Sequence, residues 1–71
     1  MKKVIQIEGM SCHHCEMHVE KSLLSLKDVK KAKASHIDKT CEIVLKNEIE
    51  NEVLIEKVKE AGYTVTSIEE L

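Results

Sequence analysis

Residues 3 to 8, Lys-Val-Ile-Gln-Ile-Glu, set Ile5 and Ile7 on one side of a period of two and Gln6 and Glu8 on the other, which predicts a strand with one buried face. Gly9 interrupts it, as suits a backbone turning sharply away from a sheet. After Cys15 the spacing changes. Val19, Leu23 and Leu26 fall at i, i+4 and i+7, with Glu16, Glu20, Lys21 and Lys27 off that stripe, predicting an amphipathic helix of about three turns. Ser11 is the expected N-cap. Alternation returns at Val29, Ala32 and Ala34, pauses over Ser35 to Thr40, and resumes at Cys41, Ile43 and Leu45, which together predict a β-hairpin. Asn47 to Glu50 has the spacing of a capping box and Asn51 is a second candidate N-cap. The helix they open carries Leu54, Val58 and Ala61 on one stripe and stops at Gly62. Tyr63 to Ile68 is β-branched and predicts a last strand, followed by a frayed acidic end at Glu69, Glu70 and Leu71.

Strand, helix, strand, strand, helix, strand, each with one apolar face, predicts an α+β fold: the ferredoxin-like βαββαβ two-layer sandwich, a four-stranded antiparallel sheet with two helices on one face. In that topology the loop after the first strand, the hairpin and the loop after the second helix share one end. Cys12, Cys15, Lys39 and Tyr63 are therefore expected to be neighbours.

Composition narrows the picture. A 71-residue chain is expected to form one domain, residues 1–71, with a thin core, since a chain this short buries only about 60% of its unfolded surface. Tyr63 is the only aromatic residue, so the core must be aliphatic. A net charge of −2 gives no field for nucleic acid and no stacking platform accompanies it. No apolar run approaches the ~20 residues of a membrane-spanning helix, so direct membrane insertion is not expected. The apolar run after Met1-Lys2-Lys3 is broken within a few residues, unlike a signal peptide; a complete short cytoplasmic protein is the expectation. Three cysteines cannot all pair with one another, which fits reduced thiols better than a disulfide framework.

The candidate chemistry lies in Gly9-Met10-Ser11-Cys12-His13-His14-Cys15. A C-x-x-C pair at a helix start can exchange disulfides, hold half of a zinc site or carry a soft metal. Thioredoxin-like enzymes set a cis-proline opposite their pair, and this chain has no proline. A structural zinc site would need Cys12, Cys15, His36 and Cys41, yet Cys41 keeps step with Ile43 and Leu45 on the apolar side of its strand. Two exposed thiolates with an open coordination sphere suit Cu(I) better than zinc, which favours four ligands.

With these residues, the later Ala61-Gly62-Tyr63 and the element order between them, the chain resembles the heavy-metal-associated domain family over essentially its whole length, and within it the small bacterial copper chaperones. The resemblance implies a cytoplasmic Cu(I) carrier, not an enzyme. Cys12 and Cys15 match its metal ligands, Met10 the methionine tucked under the loop, and Tyr63 the tyrosine near the metal. Ser11 stands where zinc-devoted relatives often carry an acidic residue, which favours copper. The implied partners are the metal-binding domain of a copper-transporting P-type ATPase and a copper-responsive repressor, and the implied state is a monomer able to form a metal-bridged dimer. A zinc- or mercury-binding domain, or the detached sensor domain of a metal transporter, is the alternative. Mercury-scavenging relatives share the pair but are exported. Two departures stand out: the paired histidines His13 and His14, and Lys39 where many relatives carry glycine. His13 or His14 lending a nitrogen ligand is one reading; the favoured one takes all four histidines, His18 and His36 included, as solvated side chains, His13 and His14 tuning affinity and partner contact.

Overall fold

The computed structural model describes residues 1–71. Its elements run β1 (Lys2–Glu8), α1 (His13–Leu24), β2 (Val29–Ser35), β3 (Thr40–Leu45), α2 (Asn51–Glu60) and β4 (Thr64–Glu70). The strands form one antiparallel sheet in the order β2-β3-β1-β4. α1 lies against β2, α2 lies against β4, and the two helices touch each other. The expected ferredoxin-like sandwich is the fold that forms.

The core follows the alternation. Ile5 and Ile7 of β1, and Cys41, Ile43 and Leu45 of β3, are buried beneath Val19 and Leu23 of α1 and Leu54 and Val58 of α2. Each fully buried Ile or Leu side chain contributes about 1.5–3 kcal/mol relative to an exposed one. In β4, Val65 and Ile68 both pack against this core although they are three residues apart. A one-residue irregularity explains it: Gln6 pairs with Ser67 and Ile7 with Val65, leaving Thr66 unpaired in the register. An extra residue in one strand restores a side chain to the face it would otherwise leave.

Several boundaries differ from the sequence expectation. Cys12, not Ser11, is the N-cap of α1, in extended conformation (φ −160°, ψ 176°) and without a side-chain cap. Ser11 is instead turned toward Cys15, its Oγ lying 3.8 Å from the sulfur. α1 ends at Leu24, so Leu26 packs on the core from the following turn. Glu50 is the N-cap of α2. Asn47 is occupied elsewhere, donating from Nδ2 to Asp28 Oδ1 at 3.1 Å, and Asn51 Oδ1 accepts from Lys3 Nζ at 3.0 Å. The acidic end is not frayed, because Glu69 and Glu70 pair with Val4 and Lys3 as part of β4. Gly62 does end α2 as expected. With φ 97° it lets its own N–H reach Lys59 O at 2.9 Å and the Tyr63 N–H reach Val58 O at 3.2 Å, the paired bonds of a Schellman motif.

Lys3 is the unforeseen core residue. It shares the inward face with Ile5 and Ile7, its side chain only 4% exposed. Burying an ammonium requires partners. Its Nζ finds Ile49 O at 2.9 Å, Asn51 Oδ1 at 3.0 Å and Glu48 Oε1 at 2.9 Å, which ties the start of β1 to the start of α2.

Candidate metal centre

The expected convergence at one end of the sheet is present. Glu8 pairs with Thr64, and the Ile7 N–H donates to Lys39 O at 2.8 Å. Lys39 has φ 59°, the left-handed conformation that glycine adopts most readily. At the head of β1, Gly9 (φ 103°) turns the chain out of the sheet, and a Cβ there would stand 3.3 Å from Tyr63 Cδ1. The loop is anchored by Met10, which is buried in the core, while Ser11 and Cys12 are exposed. Cys15, in the first turn of α1, is half-buried.

Cys12 Sγ and Cys15 Sγ are 3.8 Å apart. That is far beyond the ~2.05 Å of a disulfide, and short enough for one ion with metal–sulfur bonds of ~2.3 Å to bridge both sulfurs. The Cys15 thiol is lowered from 9.0 to about 6. The backbone N–H of Ser11 contributes most, followed by hydrogen bonds from the Tyr63 and Ser11 hydroxyls, against an opposing effect of partial burial. Donors directed at sulfur favour the anion. Tyr63 moves the opposite way, to about 12, chiefly because its hydroxyl donates to the Cys15 sulfur. Tyr63 therefore keeps its proton while Cys15 gives its own up. The thiol pair is a surface site and not a cavity: the largest concavity, about 490 Å³, lies at the opposite end of the molecule beside Lys3, Glu48 and Glu70.

Cys41 lies outside this group. It is 0% exposed in the middle of the core, and desolvation pushes its thiol up to about 12. His36 is likewise committed, its Nδ1 2.7 Å from Glu16 Oε2. The four-residue zinc set considered from sequence is thus not assembled, and no cluster of three or more His, Cys, Asp and Glu side chains has a metal-holding arrangement. His14 and His18 stack on the outer side of α1 with ring centroids 5.9 Å apart. His13, with its side chain 78% exposed, places Nδ1 2.8 Å from Glu16 Oε1. In the sequence Glu16 is only a charge off the apolar stripe. Its carboxylate is instead bound by three groups, and is lowered to about 2 chiefly by the backbone N–H of His36, then by His13 and the His36 ring.

A small sandwich with a thiol pair on the loop after its first strand defines a class of metal-binding domain. The sequence profile of the heavy-metal-associated domain matches residues 4–64, and the chain belongs to that family. Among its relatives, the copper chaperone CopZ of Staphylococcus haemolyticus is 42% identical over 69 residues, covering 92% of this chain and 97% of that protein. A mercuric reductase of Acidithiobacillus ferrooxidans is 38% identical over 61 residues, which are 86% of this chain but 11% of the reductase. Among solved structures, a CopZ metallochaperone superposes with TM-score 0.86 at 22% identity, covering 93% of this chain and 100% of that one. A copper binding domain from a P-type ATPase gives 0.83 at 26% identity, covering 99% and 100%.

Proposed function

We propose that residues 1–71 act as one heavy-metal-associated domain that binds Cu(I) through Cys12 and Cys15 and passes it to another protein by ligand exchange. One observation carries this reading above the others: two accessible thiols 3.8 Å apart, one of them held toward its thiolate form by Ser11 and Tyr63. Soft sulfur donors in a two-ligand set leave room for an incoming thiolate, which a closed four-ligand zinc site would not.

The chain's own groups divide the work. Met10 holds the loop from below and Gly9 lets it leave the sheet, so that Cys12 stays on the exposed side. Ser11 and Tyr63 keep Cys15 ready as an anion without supplying a ligand themselves. In transfer, a partner thiol loses its proton and adds to the ion. One thiolate of this chain then dissociates, and a second partner thiol that has lost its proton displaces the other, Cys15 remaining an anion above about pH 6. No carbon–sulfur or sulfur–sulfur bond changes, so the process is exchange of ligands and not enzymatic turnover. The receiver in this reading is the metal-binding domain of a copper-transporting P-type ATPase in the cytoplasm. A copper-responsive repressor is the second receiver. The carrier is a monomer that can form a metal-bridged dimer.

The test is a competition titration of Cu(I) and Zn(II) against a chromophoric chelator under reducing conditions. One tightly held Cu(I) per chain, not displaced by excess Zn(II), is the expected result; preferential Zn(II) binding contradicts the metal assignment. The likeness to part of a mercuric reductase favours a second reading, a Hg(II)-binding domain. Retention of Hg(II) but not Cu(I) against a competing dithiol would select it.

A further inference from the structure

Histidine nitrogens are good ligands for zinc, and two such side chains stand at the thiol end of this molecule. His13 lies between the two cysteines in the chain, and His36 lies in the β2–β3 hairpin that closes the same end. Two imidazole nitrogens added to a thiol pair make the two-sulfur, two-nitrogen set that zinc favours. Both are instead committed to one residue. Glu16 Oε1 is 2.8 Å from His13 Nδ1, while Oε2 is 2.7 Å from His36 Nδ1 and accepts the His36 backbone N–H at 2.7 Å. The Glu16 side chain is only 13% exposed, so the carboxylate is held in place and not waving in solvent. His14 and His18, one residue and one turn further along α1, have no such partner and simply stack on each other.

We propose that Glu16 is a positioning residue that sets metal specificity: by engaging His13 and His36 together it keeps both imidazoles off the thiol pair and preserves a two-sulfur site. This rests on Cys12 and Cys15 being the ligands. A carboxylate on Nδ1 can also do the reverse, aiming the other ring nitrogen at a metal. Here the His13 ring is largely in solvent, and no three-ligand arrangement forms with the cysteines, which favours restraint over aiming.

The experiment measures Zn(II) and Cu(I) affinities of the full chain and of Glu16→Ala, Glu16→Gln, His13→Asn and the double variant Glu16→Ala/His13→Asn. Imidazole ¹⁵N shifts are recorded with and without Zn(II). Glu16→Ala is expected to raise Zn(II) affinity by on the order of tenfold, the lower end for residues that orient metal ligands. Cu(I) affinity should change far less, and the His13 or His36 ring nitrogens should shift on Zn(II) addition. Glu16→Gln keeps a carbonyl for the His36 N–H and an amide donor for His13 Nδ1, so it should retain the native ratio. The double variant should lose the His13 share of the gain. An unchanged Zn(II):Cu(I) ratio in folded Glu16→Ala overturns the proposal. So does weakened Zn(II) binding in His13→Asn with Glu16 intact, which would make His13 a ligand already and needs no Glu16 variant to fold. If Cu(I) binding by the native chain survives loss of both loop cysteines, the ligand assignment itself has failed, a result distinct from either of these.

Discussion

Cys15 and Cys41 carry the same thiol in opposite surroundings. Cys15 sits on a half-open helix turn, where the Ser11 N–H and the Tyr63 and Ser11 hydroxyls favour the anion and bring it to about 6. Cys41 sits in a central strand between Ile43 and the helices, where desolvation pushes it to about 12. The difference shows that placement in the sandwich, not residue type, decides which thiol is held toward its anion. At Cys41 a strand N–H, that of Lys33, also favours the anion, but desolvation in the core outweighs it.

The strongest way to break this contrast is to exchange the two environments' roles by mutation. Replacing Cys12 and Cys15 with serine should weaken Cu(I) binding by at least roughly 1,000-fold, about 4 kcal/mol, in the chelator titration, with the circular dichroism spectrum unchanged. Replacing Cys41 with serine should do the opposite, leaving Cu(I) affinity intact but lowering stability by about 1–3 kcal/mol in urea melts, since a hydroxyl would be buried in the core. Loss of metal stoichiometry in that variant would make Cys41 a ligand after all.

A subtler test concerns protonation. Because Cys15 is lowered, it is an anion above about pH 6 and a neutral thiol below it, so its iodoacetamide labelling rate should be half-maximal near pH 6. Tyr63→Phe removes the second-largest of the groups that lower it, and the midpoint should move upward. A midpoint that stays put would remove Tyr63 from the site. The smallest effect is expected where the chain meets the loop from the hairpin. Lys39→Gly should raise stability by about 1 kcal/mol or less, because the left-handed backbone at φ 59° costs a side-chain-bearing residue about 1–2 kcal/mol and glycine's extra freedom when unfolded offsets part of the gain.

What the sequence could convey tracks how local each cause is. Strand and helix stripes are written in short-range spacing, and Ile5, Val19, Ile43 and Leu54 are all buried as that spacing predicts. The closeness of Cys12 and Cys15 was legible because both lie on one turn. Lys3 was not: an alternating strand beginning with lysine reads as a solvated end, and the partners that permit its burial arrive from Glu48, Ile49 and Asn51, far along the chain. Glu16 was hidden in the same way, since its binding to His36 crosses from α1 to the hairpin. The Ser11 cap failed for a different reason. Its hydroxyl and N–H had a better use at the Cys15 sulfur than at the helix end, and helix-start patterns do not register such competition.

Site-resolved alkylation with and without one equivalent of Cu(I), read by mass spectrometry at pH 7, tests the central claim most directly. Without metal, Cys15 should label fastest and Cys41 should stay unlabelled until the protein is unfolded. With Cu(I) bound, Cys12 and Cys15 should both be protected while Cys41 is unaffected. Full-rate labelling of Cys12 and Cys15 in the Cu(I)-bound protein would contradict the assignment of these two sulfurs as the ligands.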